Sequence, residues 1–227
     1  KVMGEFVGCI EGMKEACEYL NFPVVSGNVS FYNETNSKSI FPTPVIGGVG
    51  LLVDFAKSVG IGFVSKGDPI CVLGNSTGHL GQSIYLREVE GREDGAPPTV
   101  DLEAERTVGD FVRTQIQNGL ITACHDISDG GLLVTCCEMA LASNLGIIFS
   151  NLESSIPLYA KVFGEEQGRY VVTCNDQDGL SIAAKEAGIT IEVIGITGGD
   201  AIEIEGEKIE LTELRLIHES WLPNYMN

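Results

Sequence analysis

The sequence predicts an α/β (α+β) protein in which mixed sheets pack against helices. Short apolar runs rich in β-branched residues alternate along the chain with longer segments of helical periodicity, the pattern expected of packed sheet and helix layers. Apolar residues make up 44% of the 227 residues, enough for a substantial core. No internal repeat or low-complexity tract interrupts the alternation.

The first part of the chain predicts one helix and two strands. Apolar residues recur at steps of three and four over 4–20, which predicts an amphipathic helix. The stretch 23–32 predicts a strand, and the run PVIGGVGLLV over 44–53 predicts a second, buried strand. The pattern weakens over 55–67, which indicates a domain boundary.

From residue 68 onward, strands and helices alternate. Asp101 is placed to cap the clearest helix, in which Val108, Phe111, Val112 and Ile116 share one face. The predicted strands are 68–74, 121–127, 146–151, 169–174, 190–197 and 201–210. The other predicted helices are a short one within 78–89, then 131–142, 177–187 and a last helix toward 222, with 91–99 as a loop.

The charge balance argues against nucleic acid as a partner. Fourteen Lys and Arg stand against 32 Asp and Glu, for a formal charge of −18, and no basic run occurs. Such a surface repels a phosphate backbone. Small phosphorylated substrates remain compatible with it, because bound Mg²⁺ and local backbone N–H groups can offset the repulsion at one site.

The seven cysteines predict core residues in a reducing cytoplasm. Their number is odd, no C-x-x-C pair occurs, and most lie inside apolar runs such as DPICVLG. The three histidines are far apart and have no metal-ligand spacing. No stretch approaches the 18 apolar residues of a membrane span, so we expect a soluble chain without a membrane partner.

The first candidate site lies in PVVSGNVSFYNET, residues 23–35. A tight turn explains Gly27 and Asn28 equally well, because both residue types tolerate positive φ. Alternatively, the small residues let a ligand approach the backbone, and Asn28 and Ser30 present oxygens on one face of an extended segment. An amide oxygen can ligate Mg²⁺. The local sequence leaves both interpretations open.

The second candidate site is CHDISDGGLLV, residues 124–134, where a strand runs into a helix. One interpretation is capping, in which Ser128 or Asp129 accepts the first helical N–H groups. The other is an anion site at the helix N-terminus, with Asp126 supplying a carboxylate for an accompanying metal. The two interpretations are compatible.

These two motifs carry a family resemblance, together with FPTPVIGGVGLL after the first and FGEEQGRYVV and HESWLPNYM after the second. The chain resembles the synthetase subunit of phosphoribosylformylglycinamidine synthases (the PurL family, short type), within the superfamily of aminoimidazole ribonucleotide synthetase. The resemblance covers essentially all 227 residues. It implies a longer parent with two A and two B domains: residues 1–56 resemble the end of the second A domain, and 57–227 the second B domain, folded like the C-terminal domain of aminoimidazole ribonucleotide synthetase. The absence of an initiator Met at Lys1 agrees with that expectation.

The resemblance also implies roles for individual residues. Gly27 matches a glycine that contacts ATP, Asn28 a Mg²⁺ ligand, and Ser30 a serine that touches the ribonucleotide. Asp126 and Ser128 match a second nucleotide and Mg²⁺ site of the long, fused members.

In FGEEQGR, the residues Glu165, Glu166 and Arg169 match the family as well. These three residues can instead form an internal ion pair on a loop, and we favour that interpretation.

The implied reaction is ATP-driven amidation in purine biosynthesis. Formylglycinamide ribonucleotide is activated by the γ-phosphate of ATP, and ammonia from a separate glutaminase subunit then displaces phosphate to give the amidine. A small accessory subunit is the other implied partner. The catalytic histidine and nucleotide-binding lysine of the family have no counterpart here, so we expect no catalytic residue in this chain and no activity from it alone. Two alternatives stay open: another ATP-using synthetase or kinase of the superfamily, and a non-catalytic assembly module.

Overall fold

The structure is a computed structural model that describes residues 2–30, 33–41 and 43–226. The chain divides into two compact units with the boundary between Val53 and Asp54. We call them the N-terminal unit and the C-terminal unit. The assignment of 1–56 and 57–227 to an A and a B domain is not decided by this division and stays a prediction.

The N-terminal unit contains one long helix and a small hairpin. Helix α1 spans Val2–Leu20, which confirms the helix predicted over 4–20. Strands β1 (Glu34–Thr35) and β2 (Lys38–Ser39) pair antiparallel around a turn in which Asn36 and Ser37 have positive φ. The other described residues of this unit beyond Asn21 are irregular.

The two strands predicted for the N-terminal unit are wrong. Residues 23–30 form no strand, and the last two positions of that prediction, Phe31 and Tyr32, lie outside the described residues. The run 44–53 is irregular and exposed, with Val45 92% and Val49 96% accessible. Apolar composition alone does not make a strand, because a strand needs a neighbour for its N–H and C=O groups.

The C-terminal unit is built on a seven-stranded mixed sheet. Its strands, in chain order, are β3 (Pro69–Leu73), β4 (Ile121–Asp126), β5 (Ile147–Phe149), β6 (Tyr170–Cys174), β7 (Ile191–Thr197), β8 (Ala201–Ile204) and β9 (Glu207–Glu210). The spatial order is β4-β6-β3-β7-β5-β8-β9, in which β5 and β8 are parallel and the other neighbours antiparallel. The run 201–210, predicted as one strand, is therefore a hairpin, with Glu205 and Gly206 at positive φ in its turn.

Six helices accompany this sheet. They are α2 (Ile84–Glu88), α3 (Leu102–Gln117), α4 (Gly131–Ser143), α5 (Leu158–Phe163), α6 (Gln177–Glu186) and α7 (Leu211–Met226), and a short 3₁₀ turn spans Phe55–Lys57. All were predicted except α5, which is short and follows Pro157 in a segment read as a loop. Asp101 caps α3 as predicted, since its carboxylate accepts from the N–H groups of Glu103 and Ala104.

The sheet separates two apolar layers. Because successive side chains of a strand point to opposite faces, Ile70 and Val72 of β3 pack with α4, whereas Cys71 and Leu73 pack with α3 and α6. A register shift between Ile121 and Ala123 sends these two residues of β4 to opposite layers. The fold is thus the mixed sheet with packed helices that the sequence predicts.

Candidate functional site

The first motif is exposed and irregular. Gly27, Asn28 and Ser30 all lie on the surface of the N-terminal unit. Ser30 Oγ donates to Asn33 Oδ1 at 3.2 Å, and Asn33 Nδ2 donates back to the Ser30 carbonyl at 3.4 Å. Because no strand forms over 23–30, the argument that Asn28 and Ser30 share one strand face no longer holds.

Space around Gly27 is open. A Cβ added at this glycine meets no atom of the described chain within 4 Å. Close packing among the described residues is therefore not the reason for glycine at this position. Open backbone is what a ligand needs for close approach.

The second motif lies at the end of β4. Asp126 is the last residue of the strand and its side chain is exposed. The His125 ring lies between two carboxylates, with Nδ1 3.1 Å from Asp126 Oδ1 and Nε2 3.3 Å from Glu138 Oε2. Ser128 and Asp129 are exposed in the turn before α4. Asp126 and Ser128 are therefore both exposed, and their role in a second nucleotide and Mg²⁺ site stays a prediction.

The predicted capping of α4 by Ser128 or Asp129 is wrong. The cap position is Gly130, with φ of 82°, and no side chain of the motif accepts a hydrogen bond there. A Cβ on Gly130 would lie 2.6 Å from Val134 Cγ2, and one on Gly131 would lie 2.7 Å from the Gly164 carbonyl oxygen. The two glycines are required by this close packing and by their positive φ.

The acceptor at the start of α4 comes from a distant loop. Glu165 Oε1 accepts from Gly130 N at 2.7 Å and from Ile84 N, at the start of α2, at 2.8 Å. The resemblance points to Glu165 as part of FGEEQGR, but the sequence gives no signal that it pairs with two segments 35 and 81 residues away.

The ion pair predicted in the same loop is confirmed for Glu166 and Arg169. Arg169 Nη2 lies 2.8 Å from Glu166 Oε2, and the two side chains are only 1% and 11% exposed. Arg169 also donates to the Gly164 and Glu166 carbonyls, at 2.6 and 3.2 Å. Burial alone would raise the pKa of Glu166, but hydrogen bonds from His79 and Thr77 and the charge of Arg169 lower it below the ordinary value.

Two residues beside Asp126 were not singled out from the sequence as part of a site. Burial and the charge of Asp126 raise the pKa of Glu105, and a hydrogen bond from Gly168 N–H opposes that shift. Burial, Glu105 and Asp126 also raise the pKa of Tyr170. The sequence does not predict that these residues lie near Asp126, because they belong to separate elements, α3 and β6, that meet β4 only in the fold.

The end of β4 is therefore surrounded by the carboxylates of Asp126, Glu105 and Glu138. This negative surface favours cations and hydrogen-bond donors over a phosphate without a metal ion. Within the described ranges, no three His, Cys, Asp or Glu side chains are grouped to hold a metal ion. A metal at Asp126 would therefore need ligands from a bound nucleotide or from water. Glu105, Glu166 and Gly168 also line a neighbouring cleft of about 550 Å³.

The burial of the cysteines agrees only in part with the sequence prediction. Three are buried, as predicted for core residues (Cys71, Cys136 and Cys174), whereas four are only partly buried (Cys9, Cys17, Cys124 and Cys137). Burial raises the pKa of the Cys124 thiol to about 12, so this group is protonated at neutral pH. Among the described residues, no helix is long and apolar enough to cross a membrane.

Comparison with known proteins places the chain in a family. Residues 65–206 match the model for the C-terminal domain of AIR synthase related proteins, and residues 2–52 match that for their N-terminal domain. Since the first match alone covers more than half of the chain, the chain belongs to the AIR synthase related family.

Within that family, the chain is similar to phosphoribosylformylglycinamidine synthase subunit PurL. It is 54% identical to PurL from Bradyrhizobium sp. strain BTAi1 over 229 aligned residues, which cover 100% of this chain and 31% of that protein. PurL from Caulobacter vibrioides is 51% identical over 228 residues, with the same coverage of 100% and 31%. The chain therefore spans about a third of the length of these relatives.

A solved structure shares the fold. The structure of Thermotoga maritima PurL complexed with FGAR matches with a TM-score of 0.57 and 17% identity, over 70% of this chain and 29% of that chain. At this identity, the match shows the architecture alone.

Proposed function

We propose that this chain is part of an ATP-dependent amidoligase of purine biosynthesis. The reaction converts formylglycinamide ribonucleotide, ATP and glutamine-derived ammonia to formylglycinamidine ribonucleotide, ADP and phosphate. The observation that carries the proposal is the 54% identity to PurL along the whole chain. Solved PurL structures described as complexes with FGAR and with ATP support the substrate and the nucleotide.

The chain would act as one portion of a longer synthetase. We assign residues 1–56 to the end of a second A-type domain and 57–227 to a second B-type domain. Matches to an N-terminal family model over 2–52 and a C-terminal one over 65–206 support this order. The relatives' extra length would supply the remaining groups of the active site.

The first motif would contribute to nucleotide and substrate binding. Gly27 would contact ATP, Asn28 would ligate Mg²⁺ through its amide oxygen, and Ser30 would touch the ribonucleotide. The exposed side chain of Asn28 and the open space around Gly27 support these roles. When bound, Mg²⁺ would neutralise charge on the transferred phosphoryl group. The residues of this chain would hold and orient the reactants.

The second motif would bind a second nucleotide with its Mg²⁺ through Asp126 and Ser128. Their joint exposure at the end of β4 supports this role. The acidic surroundings favour a nucleotide whose phosphates carry a metal ion.

The partners we propose are a glutaminase subunit and a small accessory subunit. The solved Thermotoga maritima PurLQS structure is a precedent for a larger assembly. A charge of −18 disfavours nucleic acid. We place the protein in the cytoplasm, with no membrane partner.

A non-catalytic role in assembly is the alternative. It is favoured by the absence of a metal-binding group of three acidic, His or Cys side chains within the described part of the chain. Under this alternative, the chain would support folding of a larger enzyme without touching its substrates.

Steady-state assays distinguish the two. A longer protein that joins this chain to an upstream portion like that of its relatives should release ADP and phosphate when given formylglycinamide ribonucleotide, ATP, Mg²⁺ and ammonium. The 227-residue chain alone should show no turnover under the same conditions. Activity of the chain alone would refute the view that it is one portion of the site, and an inactive longer protein would refute the ligase function.

A further inference from the structure

Two adjacent carboxylates hold backbone N–H groups from three distant segments. Glu165 Oε1 accepts from Ile84 N and Gly130 N, at 2.8 and 2.7 Å. Glu166 Oε1 accepts from Thr77 N at 2.7 Å, Thr77 Oγ1 at 2.9 Å and His79 N at 2.8 Å. Glu165 thus receives donors from the glycine-rich segments that follow β3 and β4, whereas Glu166 receives donors only from the segment that follows β3.

Converging N–H groups in glycine-rich turns are a common way for proteins to bind phosphate and other anions. Here the position of the anion is taken by carboxylates of the same chain. Gly130 N, at the cap position of α4, is already engaged at 2.7 Å, and Gly131 N donates to the Ser128 carbonyl at 3.0 Å. A phosphate could use this donor only by displacing Glu165.

The loop that carries the two carboxylates is firmly held. Arg169, 2% exposed, donates to the Gly164 carbonyl at 2.6 Å and to the Glu166 carbonyl at 3.2 Å. Glu165 N donates to the His79 carbonyl at 3.3 Å. These bonds fix the backbone on both sides of Glu165. The conformational entropy that is lost when its carboxylate accepts two hydrogen bonds is therefore small.

We propose that Glu165 is the resident anion of the turn between β4 and α4, and that it occupies the Gly130 N–H that an external phosphate would otherwise use. It also joins the start of α2 to the start of α4. The consequence for the second motif is that a nucleotide could be held there by Asp126 and Ser128 but not by the Gly130 N–H. Glu165 is a positioning residue, since it acts on the turn and not on a reactant.

Chemical rescue tests the proposal in the 227-residue chain. Glu165→Ala leaves two backbone donors without their acceptor, and we expect the melting temperature to fall by about 5–10 °C. Sodium formate at 100 mM should restore about 3–5 °C of that loss, because formate replaces the missing carboxylate. Inorganic phosphate should also restore part of it. Sodium chloride at equal ionic strength should restore none.

The matched control is Glu153→Ala, which removes an exposed carboxylate of the same unit. Its melting temperature should stay near that of the unmodified chain and respond equally to formate and chloride. Equal responses of Glu165→Ala to formate and chloride would overturn the proposal.

A second variant covers the case in which Glu165→Ala does not fold. Glu165→Asp keeps the charge but is one methylene shorter, so its carboxylate should not reach both donors. The amides of Gly130 and Ile84 should then exchange with solvent at least tenfold faster than in the unmodified chain. Unchanged protection of both amides would overturn the proposal. No catalysis is measured, so failure of the ligase function would leave this inference unaffected.

Discussion

The two motifs of this chain differ in how their conformation is determined. The motif around Asn28 lies in an exposed, irregular segment of the N-terminal unit, whose described neighbours leave it open. The motif around Asp126 follows a strand of a buried sheet, and its turn is fixed by two closely packed glycines and by Glu165. Similar runs of small polar residues and glycine therefore have different causes in the two places.

The reason for a glycine in a motif therefore depends on the atoms that surround it in the fold. At Gly130, a side chain would collide with Val134 and the backbone has positive φ, so the local structure explains the glycine without a ligand. At Gly27, a side chain would meet nothing in the described chain. By this argument, the case for ligand binding is stronger at the first motif than at the glycines of the second.

The largest expected effect is the loss of the buried ion pair beside the second motif. Glu166→Ala leaves Arg169 as an uncompensated buried charge, which should lower the free energy of unfolding of the chain by about 3–5 kcal/mol. Denaturant unfolding measures this. The control is Glu219→Ala, which removes an exposed carboxylate 2.9 Å from partly exposed Arg215 and should cost less than about 1 kcal/mol. An equal loss of unfolding free energy in the two variants would show that the Glu166–Arg169 ion pair does not stabilise the fold more than an exposed ion pair does.

A nucleotide titration of the longer protein tests whether Asp126 binds a second nucleotide. If Asp126 holds a second nucleotide, Mg²⁺-ADP at a hundred times its Kd should stabilise the protein by roughly 2.7 kcal/mol. Asp126→Asn should abolish that increment. Without nucleotide, the same variant should differ by less than about 0.5 kcal/mol, because the side chain is exposed.

Asp129→Asn is the control for this titration, since it changes a neighbouring exposed carboxylate and should keep the increment. An identical nucleotide response in Asp126→Asn and the unmodified protein would remove Asp126 from the site.

The smallest effect concerns Glu105. Its contribution to the free energy of unfolding should change with pH in the opposite direction to that of Glu166. Because burial raises the folded-state pKa of Glu105, its ionisation costs stability above the unfolded value near 4.5. Glu105→Gln should therefore stabilise the chain at pH 7, by less than about 1 kcal/mol because the group is partly exposed, and the gain should disappear below about pH 4.5.

The pKa of Glu166 is instead lowered in the fold, so its contribution to stability is present above the unfolded value near 4.5 and is lost as the pH falls through the folded pKa. Unfolding of Glu105→Gln and Glu166→Gln across this pH range compares the two carboxylates. A stability change of the same sign in both variants at pH 7 would contradict the opposite pKa shifts of Glu105 and Glu166.

Prediction from sequence succeeded where the cause is local. The Asp101 cap and the apolar face of α3 depend on residues within a few turns of each other, and both are confirmed. The fold class followed from the alternation of strand and helix patterns. The order of the strands did not, because pairings such as β3 with β7 join segments more than a hundred residues apart.

The failures have the same physical origin. Residues 44–53 have strand composition, but no described neighbour pairs with them, so they stay irregular. Ser128 and Asp129 are good capping residues by type, yet the cap position is Gly130, whose N–H donates to Glu165, 35 residues away. The resemblance named the candidate site residues, whereas Glu105 and Tyr170 became visible only through the packing of α3 against the sheet.

We propose that the first motif binds the reacting nucleotide and substrate, whereas the second binds a second nucleotide that takes no part in the reaction. The most direct measurement is turnover of the longer protein carrying either Asn28→Ala or Asp126→Asn, with Asn36→Ala as a control for an exposed amide of the same unit. We predict that Asn28→Ala lowers turnover roughly 100-fold or more, because the variant lacks the proposed Mg²⁺ ligand. Asp126→Asn and Asn36→Ala should stay within about threefold of the unmodified protein. Unmodified turnover in Asn28→Ala, or an equal loss in Asp126→Asn, would contradict the account.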